Sequence, residues 1–423
     1  MRWMSPSKLP RTVIRNLALL ASTQGLQTIV IQIFTIHVPI AILLLGGSTT
    51  LAGLGTSLMW GGRLVTAYYM GGLMDRTGRM PVISAGMLIS GVTAGLAGLA
   101  TYHRILPLYL AMVLFFGIGR GMVDYARIAA GDMLPPDRRG VGTGLLLTGS
   151  MAGTLTATPL LYIVSAVVAG IESDLTISAH YTAIPFALAG LILSMTVRPD
   201  PLDIARNPGK FYPYPLLDPP KADGNVVRSL RSILNRRMIV AYSASALTTG
   251  VMVAFMSLGS LLLHIQHIHT TTISAVVTIH VLGMFAFSIP LGRAADRLGR
   301  IPVMTIGSLV CGMGAFLTSA GADIVTITTG MFLVGLGWSA ATVSSVALIS
   351  DETSPVERGK ALGGNDTIIA LASLTIPIAA AYILERMGAL AMAIAGLAIS
   401  IPPILLAITA RNHKRAGPAD LRL

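Results

Sequence analysis

The sequence predicts an all-α membrane protein of twelve transmembrane helices, arranged as two pseudo-symmetric six-helix bundles. Three observations predict it. Charged residues make up 11% of the chain and hydrophobic ones 53%, whereas ordinary soluble domains are roughly a quarter charged. Apolar runs of about 20 residues, enough to cross roughly 30 Å of hydrocarbon as a helix, recur from end to end. A charged turn, "GGLMDRTGRMP" at residues 71–81, returns as "LGRAADRLGRIPVM" at residues 291–304, and internal repetition on this scale marks transporter architecture.

The spans read as residues 14–36, 49–70, 81–101, 105–130, 141–168, 181–197, 238–263, 272–291, 301–320, 323–349, 361–383 and 388–409. The first follows a basic segment, "MRWMSPSKLPRTVIRNLALLAS", that has the look of a signal peptide. The apolar run continues through "QTIVIQIF" without a small-residue cleavage site, so an uncleaved helix is expected. The longest connection divides the chain into an N-terminal bundle (1–198), a cytoplasmic linker (199–237) and a C-terminal bundle (238–423). The linker opens with "RPDPLDIARNPGKFYPYPLLDPP", whose prolines predict extended chain. It closes with "GNVVRSLRSILNRRM", where Val226, Val227, Leu230, Ile233 and Leu234 follow helical spacing opposite Arg228 and Arg231. That pattern fits an amphipathic helix on the inner leaflet or a basic lead-in to the seventh span.

Twelve spans put both termini on one side. Alternate connections, counted from the amino terminus, hold 25 of the 30 Lys and Arg residues; the opposite set holds Arg104 and Arg386. Basic residues stay cytoplasmic, so a multi-pass protein of the cell membrane with both termini inside is expected. The net charge of +12 is then explained by orientation and by attraction to anionic membrane lipids, and a nucleic-acid partner is not expected. Cys311 is the only cysteine, which excludes an internal disulfide.

The repeat is dense in chemistry. Gly71, Asp75, Arg76, Gly78, Arg79 and Pro81 recur as Gly292, Asp296, Arg297, Gly299, Arg300 and Pro302, each 221 residues on. Asp132, Pro136, Arg139, Gly140 and Gly144 recur as Asp351, Pro355, Arg358, Gly359 and Gly363, each 219 residues on. Glycines supply the turn, and arginines hold it at the inner surface. Asp75 closes a helix where the dipole disfavours an anion, so it needs a cation or donor nearby.

"GGLMDRTGRMP" and "LGRAADRLGRIP" resemble the G-x-x-x-D-R-x-G-R signature between helices 2 and 3 of the major facilitator superfamily. The Asp…Pro…Arg-Gly stretch after the fourth span is similar to that family as well, and the resemblance covers essentially the whole chain. It implies a conformational latch in which Asp75 meets the Gly363–Gly364 start of the eleventh span and Arg127. Val123 and Asp124 stand where many proton-linked members carry Gln and Gly. The Gly-Pro signature of drug antiporters in the fifth span is missing, since Gly153 and Pro159 lie well apart.

Ionisable groups within spans point to function. In "LFFGIGRGMVDYARIAAGDMLP", Arg120, Asp124 and Arg127 stand at i, i+4 and i+7 on one helical face. At 1.5 Å per residue, Asp124 and Arg63 of the second span both lie about 12 Å deep. The second half places Trp338, Thr342 and Ser345 opposite Arg120, Asp124 and Arg127, and Met284 opposite Arg63. A need common to the architecture would appear in both halves, so the asymmetry favours a substrate or proton pathway over a structural salt-bridge network. Gln24 and Gln27 share a face of the first span and fit either substrate contact or interhelical hydrogen bonding. Asp366 enters the eleventh span, where it could latch or couple, and His280 is a lone polar group of the eighth. His264, His267 and His269 cluster without a full metal-ligand set, so neither a metal nor another cofactor is expected.

The expected function is secondary active transport of a small organic solute by alternating access, coupled to protons and efflux-like towards drugs or metabolites. The alternatives are uptake or exchange of a small organic or phosphorylated anion, which three arginines to one aspartate would suit, and a transport-dead sensor or membrane enzyme. No P-loop, nucleophile elbow or HExxH motif supports an enzyme. A monomer is expected.

Overall fold

The computed structural model describes residues 9–135, 139–169, 175–212, 235–321, 323–353 and 358–412, and among these residues there is no strand. The amphipathic segment expected before residue 235, along with Pro136 and Pro355, lies outside the described residues. Two compact units form: residues 1–34 with 62–221, and residues 35–61 with 222–423.

The helices of the first stretch are α1 (Arg11–Leu44), α2 (Thr49–Thr77), α3 (Arg79–Tyr102), α4 (Leu106–Asp124), α5 (Ala126–Asp132), α6 (Arg139–Ala169), α7 (Leu175–Thr196), α8 (Pro201–Arg206) and α9 (Pro208–Phe211). After residue 235 come α10 (Arg236–Ile265), α11 (Thr270–Phe285), α12 (Ser288–Leu298), α13 (Arg300–Ala320), α14 (Ile324–Asp351), α15 (Arg358–Ile399) and α16 (Ile401–Asn412). Among the described residues, eleven stretches are long and apolar enough to cross a membrane. The twelfth expected span is α2, which has the length, at 29 residues. Its Gly-, Ser- and Thr-rich sequence around Arg63 keeps it below the apolarity of the others.

Several elements depart from the expected spans. The fourth breaks at Tyr125 (φ −68, ψ −8), leaving α5 as a separate helix. The eighth breaks at Ala286 and Phe287, where the ring of Pro290 would clash with the carbonyl four residues earlier. The eleventh and twelfth are joined in α15 and separated by a bend at Gly388, whose φ is 84. The start of the linker is helical, not extended: Asp200 and Asn207 each precede a proline that opens a short helix. Proline suits the first helical position because its fixed φ is helical and its missing N–H is not needed there.

Helix ends are capped by side chains. The Asp323 carboxylate accepts from Val325 N at 2.9 Å and Thr326 N at 3.0 Å, opening α14. Asn235 accepts from Met238 N at 2.8 Å, opening α10. In the first unit, Phe34 of α1 stacks on Phe116 of α4 with ring centroids 3.8 Å apart. In the second, Met238, Ala241 and Tyr242 of α10 pack with Met304, Leu348 and Ile349 into a core.

The duplication is written into the packing. A Cβ on Gly86 would lie 2.7 Å from the Gly119 carbonyl oxygen, and one on Gly119 2.8 Å from the Gly86 oxygen. In the second unit, Gly307 meets the Gly337 oxygen at 2.8 Å and Gly337 meets the Gly307 oxygen at 2.6 Å on the same construction. Only glycine lets these helix backbones approach so closely. Gly119→Val and Gly337→Val should each therefore cost about 1–3 kcal/mol through overpacking. Gly131→Ala, where nothing lies within 4 Å, should leave the melting temperature unchanged or raise it. Thermal unfolding of the purified variants in detergent checks this, and equal melting of all three would contradict the packing account.

Candidate functional site

The first unit holds an ion pair inside its helices. Arg63 Nε of α2 donates to Asp124 Oδ2 of α4 at 2.7 Å, and the two side chains are only 23% and 19% exposed. The depth arithmetic on two separate spans thus leads to one contact. Arg120, a turn before Asp124 on the same helix, is half-buried, and its charge acts on the Asp124 carboxylate. Arg127 is placed differently from the simple helical face. The break at Tyr125 puts it on α5, exposed, with Nε 3.4 Å from the backbone oxygen of Asp124. The cluster therefore carries two half-buried cations against one half-buried anion, with the third cation at its rim.

The matching positions of the second unit are neutral. Met284 is buried, and the Thr342 hydroxyl oxygen has no hydrogen-bond partner. Trp338 donates from Nε1 to Thr249 Oγ1 at 2.9 Å and sits edge-on to Phe285.

The charged turns form two matching corners. Arg79 Nη1 meets Asp75 at 2.8 Å while its Nε meets Asp132 at 2.7 Å. In the second unit Arg300 joins Asp296 in the same way, and its Nε meets Asp351 at 3.1 Å. Both corners turn on a glycine with φ 98, Gly78 and Gly299, a conformation that side chains disfavour. The cation that Asp75 needs is thus Arg79, one turn further along. Arg76 and Arg297 are exposed, Gly71 lies on α2, and Gly292 is half-buried.

The remaining sequence candidates separate. Gln27 is buried and donates to Ser90 Oγ at 3.2 Å, an interhelical hydrogen bond; Gln24 is half-buried. Asp366 and Gly363 are exposed on α15. His280 is buried with Nδ1 2.7 Å from the Met331 carbonyl oxygen. His269 caps α11. No group of three or more His, Cys, Asp or Glu able to hold a metal occurs among the described residues.

Sequence reasoning missed Asp200. Its carboxylate accepts from Arg79 N at 3.0 Å and Met80 N at 2.9 Å, and also from Leu202 N at 2.8 Å, so one side chain caps α3 and α8 together. The only local signal was the Asp-Pro pair at 200–201, which predicts a helix start. The buried contact of the Tyr109 hydroxyl with His180 Nε2, at 3.1 Å, was missed as well.

Comparison with known proteins places the chain in a family. The profile described as Major Facilitator Superfamily matches residues 20–266 and 240–422. The chain belongs to that superfamily. It is 28% identical over 375 residues to the uncharacterized MFS-type transporter YdeG of Bacillus subtilis, covering 87% of this chain and 85% of the relative. It is 23% identical over 327 residues to the riboflavin transporter RfnT of Brucella anthropi, covering 76% of this chain and 75% of that one. Among solved structures, a mutant of the nucleoside transporter NupG matches with a TM-score of 0.72 at 15% identity, over 94% of this chain and 99% of that one. The human organic anion transporter MFSD10 matches with a TM-score of 0.61 at 17% identity, over 93% of this chain and 99% of that one. These likenesses establish the superfamily fold and transporter character. In that setting the charge cluster and the two corners are the candidate site.

Asp200→Ala should lower stability by about 1–2 kcal/mol, because two helix starts lose their acceptor. Asp203→Ala, an exposed change in the same short helix, should stay within about 0.5 kcal/mol. The difference would appear as separate melting temperatures in detergent.

Proposed function

We propose that this chain moves a small organic solute across the cell membrane as a proton-coupled secondary transporter working by alternating access. One observation carries the reading: a half-buried Arg63–Asp124 pair beside Arg120 in one unit, with Met, Thr and Trp at the matching positions of the other. Charge at that depth is expensive unless it has a task. Arg120 supplies the cation that meets an anionic or acceptor-rich group of the solute. Asp124 exchanges partners between Arg63 and Arg120 as the transporter changes state, and it carries the proton. The corners at Asp75–Arg79 and Asp296–Arg300 act as the latch. The names of similar proteins, spanning riboflavin, nucleoside and organic-anion transporters, support an organic solute without narrowing it to one.

A second reading keeps the mechanism and makes the solute an anion, which the excess of arginine in the cluster favours. In proteoliposomes with a pH gradient, Arg120→Ala should cut solute uptake by more than tenfold, while Arg127→Ala retains most of it. If the loss is confined to anionic solutes, the second reading holds. Asp124→Asn should abolish substrate-driven proton flux, and flux at the wild-type level in that variant would remove Asp124 from the role.

In this reading both termini are cytoplasmic. With Cys311→Ala as background, cysteines placed at Asp75 and Asp296, both exposed, should resist an impermeant maleimide in intact cells and react in inverted vesicles. Labelling of the two positions from opposite faces would be incompatible with a duplicated bundle.

A further inference from the structure

We propose that residues 197–212 act as a strap that clamps the inner ends of α1, α2, α3 and α5 into one body, with Arg79 held at its centre. The tether between the two halves then begins at residue 213, not at residue 199. The proposal rests on the transporter reading, in which the Asp75–Arg79 corner works as a latch only if the helix ends around it stay together.

The segment "VRPDPLDIARNPGKFY" is more than a connection running over the surface. Val197 is 3% exposed, Ile204 1% and Tyr212 4%, while Asp203, Arg206 and Lys210 are exposed. Connecting segments ordinarily stay at the surface, so burial at these positions means that the segment is packed on the first unit. Its helices α8 and α9 are six and four residues long, far below the length at which a helix is stable alone. Docking, not propensity, sustains them.

Its polar contacts reach four helices. On α1, Asn16 is 0% exposed and donates from Nδ2 to the Pro199 carbonyl at 3.1 Å, and Arg15 donates to the Arg198 carbonyl. On α2, the Asp75 carbonyl receives Arg206 Nη2 at 2.9 Å. On α3, the amides of Arg79 and Met80 donate to the Asp200 carboxylate. Just past α5, the buried Met133 accepts from the Tyr212 hydroxyl with its carbonyl.

These partners follow a rule. The first N–H groups and last C=O groups of a helix have no partner within it. The strap brings a carboxylate to the N-terminus of α3 and a guanidinium to the C-terminus of α2, the signs that the helix dipoles favour. The residues it takes are those of the corner. It bonds the backbone of Asp75, the backbone of Arg79 and the backbone next to Asp132, while the Arg79 side chain bridges the Asp75 and Asp132 carboxylates. Two sets of bonds thus hold the same three helix ends, and loosening one loosens the other.

Hydrogen–deuterium exchange of the full-length protein in lipid nanodiscs, read residue by residue, tests this. The amides of Leu202, Asp203 and Ile204 all bond to Asp200. Their protection should lie within about tenfold of that at Arg79 and Met80, because parts of one cooperative unit open together. Tyr212→Phe removes a hydroxyl that touches nothing on α3, yet exchange at Arg79 and Met80 should quicken about fivefold, the effect of one lost hydrogen bond. Asn16→Ala should do the same from the other end of the strap, and the exposed change Lys210→Ala should leave those rates unaltered. The strap is overturned if its amides are protected more than about tenfold less than Arg79 and Met80. It is also overturned if Tyr212→Phe leaves the α3 amides at wild-type rates, or if Lys210→Ala quickens them equally. Tyr212→Phe keeps the ring in place, so the test does not depend on the more disruptive Asn16→Ala. No solute enters these measurements. Independent opening of residues 197–212 removes the strap and leaves the transporter reading, whereas absence of transport removes that reading instead.

Discussion

Arg79 reaches two carboxylates at once, Asp75 at 2.8 Å and Asp132 at 2.7 Å, and Arg300 does the same with Asp296 and Asp351. A guanidinium can do this because its donors lie in a rigid planar fork. The consequence reaches past the turn. Asp75 ends α2, Arg79 begins α3 and Asp132 ends α5, so one side chain fixes three helix ends relative to one another within the first unit. The backbone at Arg79 and Met80 is held in addition by Asp200. Exposed ion pairs contribute little individually. This set differs because Arg79 is 11% exposed and its partners share it. The glycine at φ 98 permits the geometry, and the charges select it.

Duplication makes the differences between the units informative. Both keep the bridging arginine, the left-handed glycine and the glycine-to-carbonyl helix contact, so these belong to the architecture. The ion pair of Arg63 with Asp124 has no neutral isostere in the second unit that would do its electrostatic work. Met284 has neither a donor nor a charge, and the Thr342 hydroxyl makes no hydrogen bond. A half-buried pair of this kind is weak evidence for stability, since desolvation offsets much of the attraction. Its presence in one unit alone is what the proposed pathway role rests on.

Much of this was legible in the sequence, for reasons that can be named. Helix rise is constant, so counting residues placed Arg63 and Asp124 at one depth before any contact was known. The corners were legible because the repeat displayed the same residues twice. Asp200 was not, because its partners are backbone N–H groups 120 and 121 residues away and backbone carries no sequence signature. The break at Tyr125 was equally hidden. No proline or glycine marks it, and it moved Arg127 from the expected face to the rim. The prolines after residue 199 were read as barriers to helix, although two of them sit where a helix begins.

The unsatisfied oxygens of the second unit belong to a kind of feature no sequence pattern reveals, since a missing partner exists only in three dimensions. Serine and threonine in lipid-embedded helices usually settle their hydroxyls on the carbonyl four residues back, as Thr248, Thr318 and Thr375 do here. Ser245 and Thr342 have that option through their own helices and do not take it. Replacing such groups with alanine or valine would relieve their desolvation cost, so stability alone gives no reason to keep them.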